Sequence, residues 1–121
     1  MMEKIIGALK TLRVGKTISE ADLHNKIAKA FDDHGIQYLH EYVIGPRCRA
    51  DFYIDGIVVE VKKGKPNHNQ VETQINRYAD LEIVDAVIVV VETSLYNPIN
   101  KTWNGKPCTV FGLQKQWGIA L

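Results

Sequence analysis

Apolar residues recur along this chain at two spacings. Ile5, Ile6, Leu9 and Leu12 fall at helical intervals and predict a short amphipathic helix ending near Gly15. A stronger stripe, Leu23, Ile27, Ala30 and Phe31, predicts a helix from Ser19 to about His34, with Gly35 as its stop. Thr17-Ile18-Ser19-Glu20 fits a capping box, which gives Glu20 a structural role. The spacing then shortens to two. Ile36 to Ile44 alternates as a strand does, and Gly45-Pro46 ends it. Lys63 to Asn69 is a polar loop, followed by a helix over about Gln70 to Leu81 with Val71, Ile75, Tyr78 and Ala79 inward. Asp85 to Val91 is a continuous apolar run bounded by charge, the pattern of a strand buried on both faces that pairs parallel after a helical crossover. Beyond Glu92 the pattern weakens to turn signals at Asn97-Pro98 and Asn104-Gly105 and a last strand over Cys108 to Leu113.

The stretch from Arg49 to Lys65 organises the rest. It reads as two strands joined by Asp55-Gly56, the dipeptide favoured in a two-residue type I′ turn. That turn sets Asp51 opposite Glu60 and Arg49 opposite Lys62, and alternation points all four side chains the same way. The other face is Ala50, Phe52, Ile54, Ile57, Val59 and Val61, wholly apolar and in need of cover.

Two carboxylates opposed on a sheet, roughly 5 Å apart at Cβ, repel each other. A divalent cation removes that penalty, since Mg²⁺ is held by one or two carboxylates plus water and substrate phosphate. Lys62, two residues from Glu60, points its ammonium into the same space, where it can hold or deprotonate a water or neutralise a phosphate. The same residues also fit a solvated hairpin face on which Lys62 balances Glu60. Glu41 is a rival acid for the site, but on a predicted edge strand it fits a solvated residue better. His24, His34, His40 and His68 lack metal-ligand spacing and read as surface or core residues, and Trp103 and Trp117 as core or oligomer contacts, with stacking on bases as the alternative.

Composition changes this picture little. The chain has 121 residues, 45% hydrophobic and 24% charged, which suits one domain with a real core. A net charge of +1 does not by itself announce nucleic acid, but Arg47, Arg49, Lys62, Lys63 and Lys65 crowd the hairpin's open end. Arg77, on the second long helix, is set to reach outward toward a phosphate. Two cysteines are too few for a zinc or iron–sulfur site, and they read as free thiols in a reducing, cytoplasmic compartment. No segment has the length or composition of a membrane span or signal peptide, so no membrane partner is expected.

The order helix, three antiparallel strands, helix, strand predicts an α/β fold, a mixed sheet flanked by helices. In that order, Asp51 on one strand and Glu60-Val61-Lys62 on the next resemble the PD-(D/E)XK nuclease superfamily over about residues 18 to 91. Gln74-Ile75-Asn76-Arg77-Tyr78 is similar to the Q-x-x-x-Y pattern of its RecB-type branch. One departure is Ala50, where the superfamily's name has proline.

The resemblance implies a restriction-endonuclease-like core, α-β-β-β-α-β, in a single domain spanning 1–121 with a C-terminal extension over 92–121. It implies a Mg²⁺-dependent (or Mn²⁺-dependent) DNA nuclease in which Asp51, Glu60 and the backbone carbonyl of Val61 hold the ion. Lys62 would orient or activate water, Gln74 and Tyr78 would position substrate and active-site groups, and Glu20 would add an acid to the metal site. A nuclease-fold module that binds nucleic acid without cutting remains the alternative, as does a structural domain of a larger complex. So small a chain has no room for a separate recognition domain, so substrate choice is expected from loops, a homodimer interface or a larger DNA-processing complex.

Overall fold

The computed structural model describes residues 1–13, 19–64, 67–92 and 101–113. Helix α1 (Met2–Leu9) and helix α2 (Glu20–Asp33) precede strands β1 (Leu39–Gly45), β2 (Cys48–Ile54) and β3 (Ile57–Lys62). Helix α3 (His68–Ala79) then crosses to β4 (Ala86–Val91), and a hairpin of β5 (Lys101–Trp103) and β6 (Lys106–Gly112) follows. The six strands form one mixed sheet in the order β1-β2-β3-β4-β6-β5.

Side-chain alternation builds a core on each face. Ala86, Ile88 and Val90 of β4 join Leu23, Ile27 and Phe31 of α2 and Ile5 and Leu9 of α1. Val87, Val89 and Val91 join Val71, Ile75 and Tyr78 of α3. β4 is therefore buried on both sides, paired parallel to β3 and to β6, as its uninterrupted apolar run predicts. Among the described residues no helix is long and apolar enough to cross a membrane.

The β2–β3 turn follows from its dipeptide. Asp55 (φ 48°) and Gly56 (φ 87°) both adopt positive φ, and Ile54 pairs with Ile57, Tyr53 with Val58 and Phe52 with Val59. Two expectations about the hairpin change. Its apolar face is not uniform: Phe52, Ile54, Ile57, Val59 and Val61 pack toward α1 and α2, but Ala50 joins the α3 core. The opposite face is not an open surface either, because α3 covers it and buries Val58 and Glu60.

At α2 the cap is Ser19, whose side chain accepts from the Asp22 amide at 3.1 Å. Glu20 is thus the first helical residue rather than the closing residue of a capping box; Thr17 lies outside the described residues, as does Gly15. Asn67 caps α3 in the same way, accepting from the Gln70 amide, so that helix starts two residues earlier than its apolar stripe suggests. Within the extension expected over 92–121, the described residues include β6, which extends the sheet beside β4. Asn104-Gly105 is a second positive-φ turn and brings β5 against β6, a strand too short to stand out as a pattern. Asn97-Pro98 lies outside the described residues.

Candidate active site

Regular β2–β3 pairing ends at Phe52 and Val59, and the carboxylates take over the amides that follow. The Asp51 N–H donates to Glu60 Oε1 at 3.0 Å, and the Val61 N–H donates to Asp51 Oδ2 at 2.8 Å. The two acids are therefore not an ordinary cross-strand pair as expected. Each side chain reaches across to the other strand's backbone. Glu41 stands at the matching level of β1, where the ladder runs from His40↔Phe52 to Tyr42↔Ala50 and skips the position between them. Three neighbouring strands thus carry an acid at one level of the sheet.

Glu60 is 4% exposed, an unusual position for a carboxylate, and α3 accounts for how it is held. Gln74 Nε2 donates to Glu60 Oε2 at 3.0 Å and to the Tyr78 hydroxyl oxygen at 3.1 Å. The Tyr78 hydroxyl lies 2.9 Å from Glu60 Oε1 and 3.0 Å from the Arg49 carbonyl, so its single proton chooses between two acceptors. Gln74 and Tyr78 share a helix face because they are one turn apart. Lys62 Nζ stands 3.6 Å from Glu60 Oε2.

Burial, and then the negative charge of Asp51, push the Glu60 carboxyl up to about 7. Asp51 is also raised, by burial first, against the opposing influence of the Val61 amide, His24 and Lys62. Both acids thus hold a proton more tightly than free carboxyls do. Burial and the neighbouring Glu60 charge raise the Tyr78 phenol, keeping it a hydroxyl donor.

These groups open onto a cleft of about 570 Å³. Glu20, Asp51, Glu60, Val61, Lys62, Gln74 and Tyr78 all line it, and so do Arg47, Arg49, Lys63 and Arg77. Lys65 lies outside the described residues. Glu20 reaches the cleft, but it does not form with Asp51 and Glu60 a set of three ligand atoms mutually within 4.8 Å; among the described residues, His24, His40 and Glu41 do. Lys63 is not a free cation, because it pairs with Glu92 at 3.7 Å, and Glu92 also accepts from the Gly64 amide at 2.8 Å.

His24 and His40 are what sequence reasoning missed. His24 is buried and His40 exposed, as a core and a surface residue would be. Yet His24 Nδ1 and His40 Nε2 are 2.9 Å apart, and His24 Nε2 faces Asp51 Oδ2 at 3.9 Å. Sixteen residues separate them in the chain, so no local spacing signals the contact. The available signal was placement: the inward face of α2 and the strand beside Asp51.

Comparison with protein-family models, with curated proteins and with solved structures finds no match for this chain.

Proposed function

We propose that the protein is a Mg²⁺-dependent DNA nuclease with a restriction-endonuclease-like core of the PD-(D/E)XK kind, acting in the cytoplasm. The observation that carries this reading is one cleft shared by Asp51, Glu60, Lys62 and the Gln74–Tyr78 pair, with arginines at its rim. A binding surface needs cations alone. It has no use for two acids held against their own repulsion, one of them nearly buried.

The residues fit a hard divalent ion. Their donors are carboxylate oxygens, and among the described residues Asp51 Oδ1 accepts no hydrogen bond from the protein. Asp51 and Glu60 would hold the ion, with the Val61 carbonyl as a further oxygen and Glu20 at the edge of the site. When bound, Mg²⁺ neutralises charge on the scissile phosphate and lowers the pKa of water. Gln74 and Tyr78 fix both oxygens of Glu60 so that the carboxylate does not swing. Lys62 donates from Nζ to the attacking water or to a phosphate oxygen, where positive charge lowers the barrier. Arg47, Arg49 and Arg77 hold the DNA backbone, with Lys63 restrained by Glu92.

The deciding experiment incubates the protein with branched, single-stranded and duplex DNA, with and without Mg²⁺ or Mn²⁺. Metal-dependent cleavage that disappears in Asp51→Asn supports the proposal. Tight binding without cleavage would favour the non-cutting module, and neither binding nor cleavage would remove both.

A further inference from the structure

On the other side of Asp51 from Glu60 lies a second pocket, whose walls include His24, His40, Glu41 and Asp51. His24 comes from α2, and His40 and Glu41 come from β1. Each of these three offers one ligand atom, and the atoms lie within 4.8 Å of one another. His40 Nε2 is 2.9 Å from His24 Nδ1 and 3.9 Å from Glu41 Oε1. Ligands each about 2.0–2.2 Å from one ion stand roughly 3–4 Å apart around it, and both separations from His40 are close to that size.

Three further observations bear on the cluster. The His40 ring stacks on Phe52 with centroids 4.7 Å apart, and the His24 ring lies 5.6 Å from the same phenyl, which backs both imidazoles. Glu41 has φ 50°, a left-handed conformation uncommon outside glycine, and its place in the β1–β2 ladder is skipped. Such departures persist where surrounding structure over-determines them, and they concentrate at functional sites. Finally, the His24 side chain is 9% exposed and its Nε2 has no hydrogen-bond partner among the described residues, yet it faces Asp51. A histidine that ligates through Nδ1 carries its proton on Nε2 and ordinarily directs it at a carboxylate. That leaves Nε2 facing Asp51 as it is found.

We propose that His24, His40 and Glu41 form a binding site for a borderline divalent metal of the Zn²⁺ class, separate from the oxygen-lined site at Asp51 and Glu60. Two imidazoles and one carboxylate select Zn²⁺ or Co²⁺ over Mg²⁺, and three protein ligands leave a fourth position open. His40 and Glu41 are exposed, so that position faces solvent. The ion ties edge strand β1 to α2 and sets a positive charge beside Asp51. None of this depends on the nuclease reading.

Titration of the full chain with Co²⁺, followed by ligand-field absorption, tests the site, with Zn²⁺ calorimetry alongside. The wild type is expected to show the strong bands of a four-coordinate ion. His40→Asn and Glu41→Gln should each weaken binding at least about tenfold, with circular dichroism unchanged because both positions are exposed. The variant Glu60→Gln, whose residue lies outside this pocket, should keep the Co²⁺ bands, which separates this site from the carboxylate pair. Wild-type Co²⁺ affinity in both His40→Asn and Glu41→Gln, or loss of the bands in Glu60→Gln, would overturn the proposal. So would the absence of Zn²⁺ and Co²⁺ binding in the wild type, which would leave His24–His40 a simple hydrogen bond.

Discussion

The backbone amide of Asp51 donates to the side chain of Glu60 at 3.0 Å, so the two acids are locked together by the same strand ends that repulsion would drive apart. A pair held this way should respond to pH and, on the proposed reading, to cations. The Glu60 carboxyl is raised from its ordinary 4.5 to about 7, so the folded protein binds its proton more tightly than the unfolded chain does. Stability contributed by that proton is present below the lower value and is lost as pH rises through the upper one. Without metal, Tm should therefore fall between about pH 5 and about pH 8, and Glu60→Gln should remove most of that slope. Thermal melts of both proteins across the range check this, and parallel slopes would exclude Glu60 as the cause.

Cation binding should reverse the loss. On the proposed reading, Mg²⁺ or Mn²⁺ would bind the folded state preferentially and take the place of the retained proton, so it should raise Tm near neutrality and release protons on binding. Asp51→Asn should blunt the response. Calorimetry in two buffers of different ionisation enthalpy measures the proton release. If millimolar Mn²⁺ produces no heat, the carboxylate pair does not hold an ion.

Lys62 shares the cleft with both acids, and its Nζ stands 3.6 Å from Glu60 Oε2. Lys62→Ala is expected to lower single-turnover cleavage by at least about a hundredfold, the scale of a positioned acid–base or electrostatic group. Folding and DNA binding should largely survive. Cleavage at the wild-type rate would remove Lys62 from the mechanism.

How much of this was legible in the sequence depends on the range of the physics involved. Asp55-Gly56 is readable because a type I′ turn demands positive φ at both positions, and the hairpin register follows from it. The stripes of α2 and α3 and the apolar run of β4 are readable because each repeats along its own element. The change of side at Ala50 is not, since it reflects how β2 departs from β3 where Asp51 and Glu60 replace the ladder. Nor is the meeting of His24 with His40, which needs α2 packed over β1. Gln74 and Tyr78 lie between these cases. Their shared face could be read, but their common target, Glu60, could not.

That common target separates positioning from binding. Gln74→Ala removes a donor to Glu60 Oε2 and another to the Tyr78 hydroxyl, but leaves the basic rim untouched. It should depress turnover while the dissociation constant for DNA stays near wild type. Tyr78→Phe should in addition destabilise the fold by about 1–3 kcal/mol, because the buried Glu60 loses a hydrogen-bond partner. Urea titrations read the second effect and single-turnover assays the first. Wild-type turnover in Gln74→Ala would reduce the Q-x-x-x-Y spacing to coincidence.

The last prediction concerns which cations would grip the DNA of the proposed reaction. Arg77 is exposed in the last turn of α3 and lines the cleft, whereas Lys63 is already paired with Glu92. A cation that gives up a protein partner to meet a phosphate gains less than one that faces only water. Arg77→Ala should therefore weaken binding to all DNA sequences alike and flatten the dependence of log K on log salt by roughly one phosphate contact. Lys63→Ala should have the smaller effect on both. Parallel titrations of the two variants over a salt series, without divalent metal so that cleavage does not intervene, measure both quantities. If Lys63→Ala flattens the salt slope more than Arg77→Ala does, the DNA path runs along the loop after β3 rather than along α3.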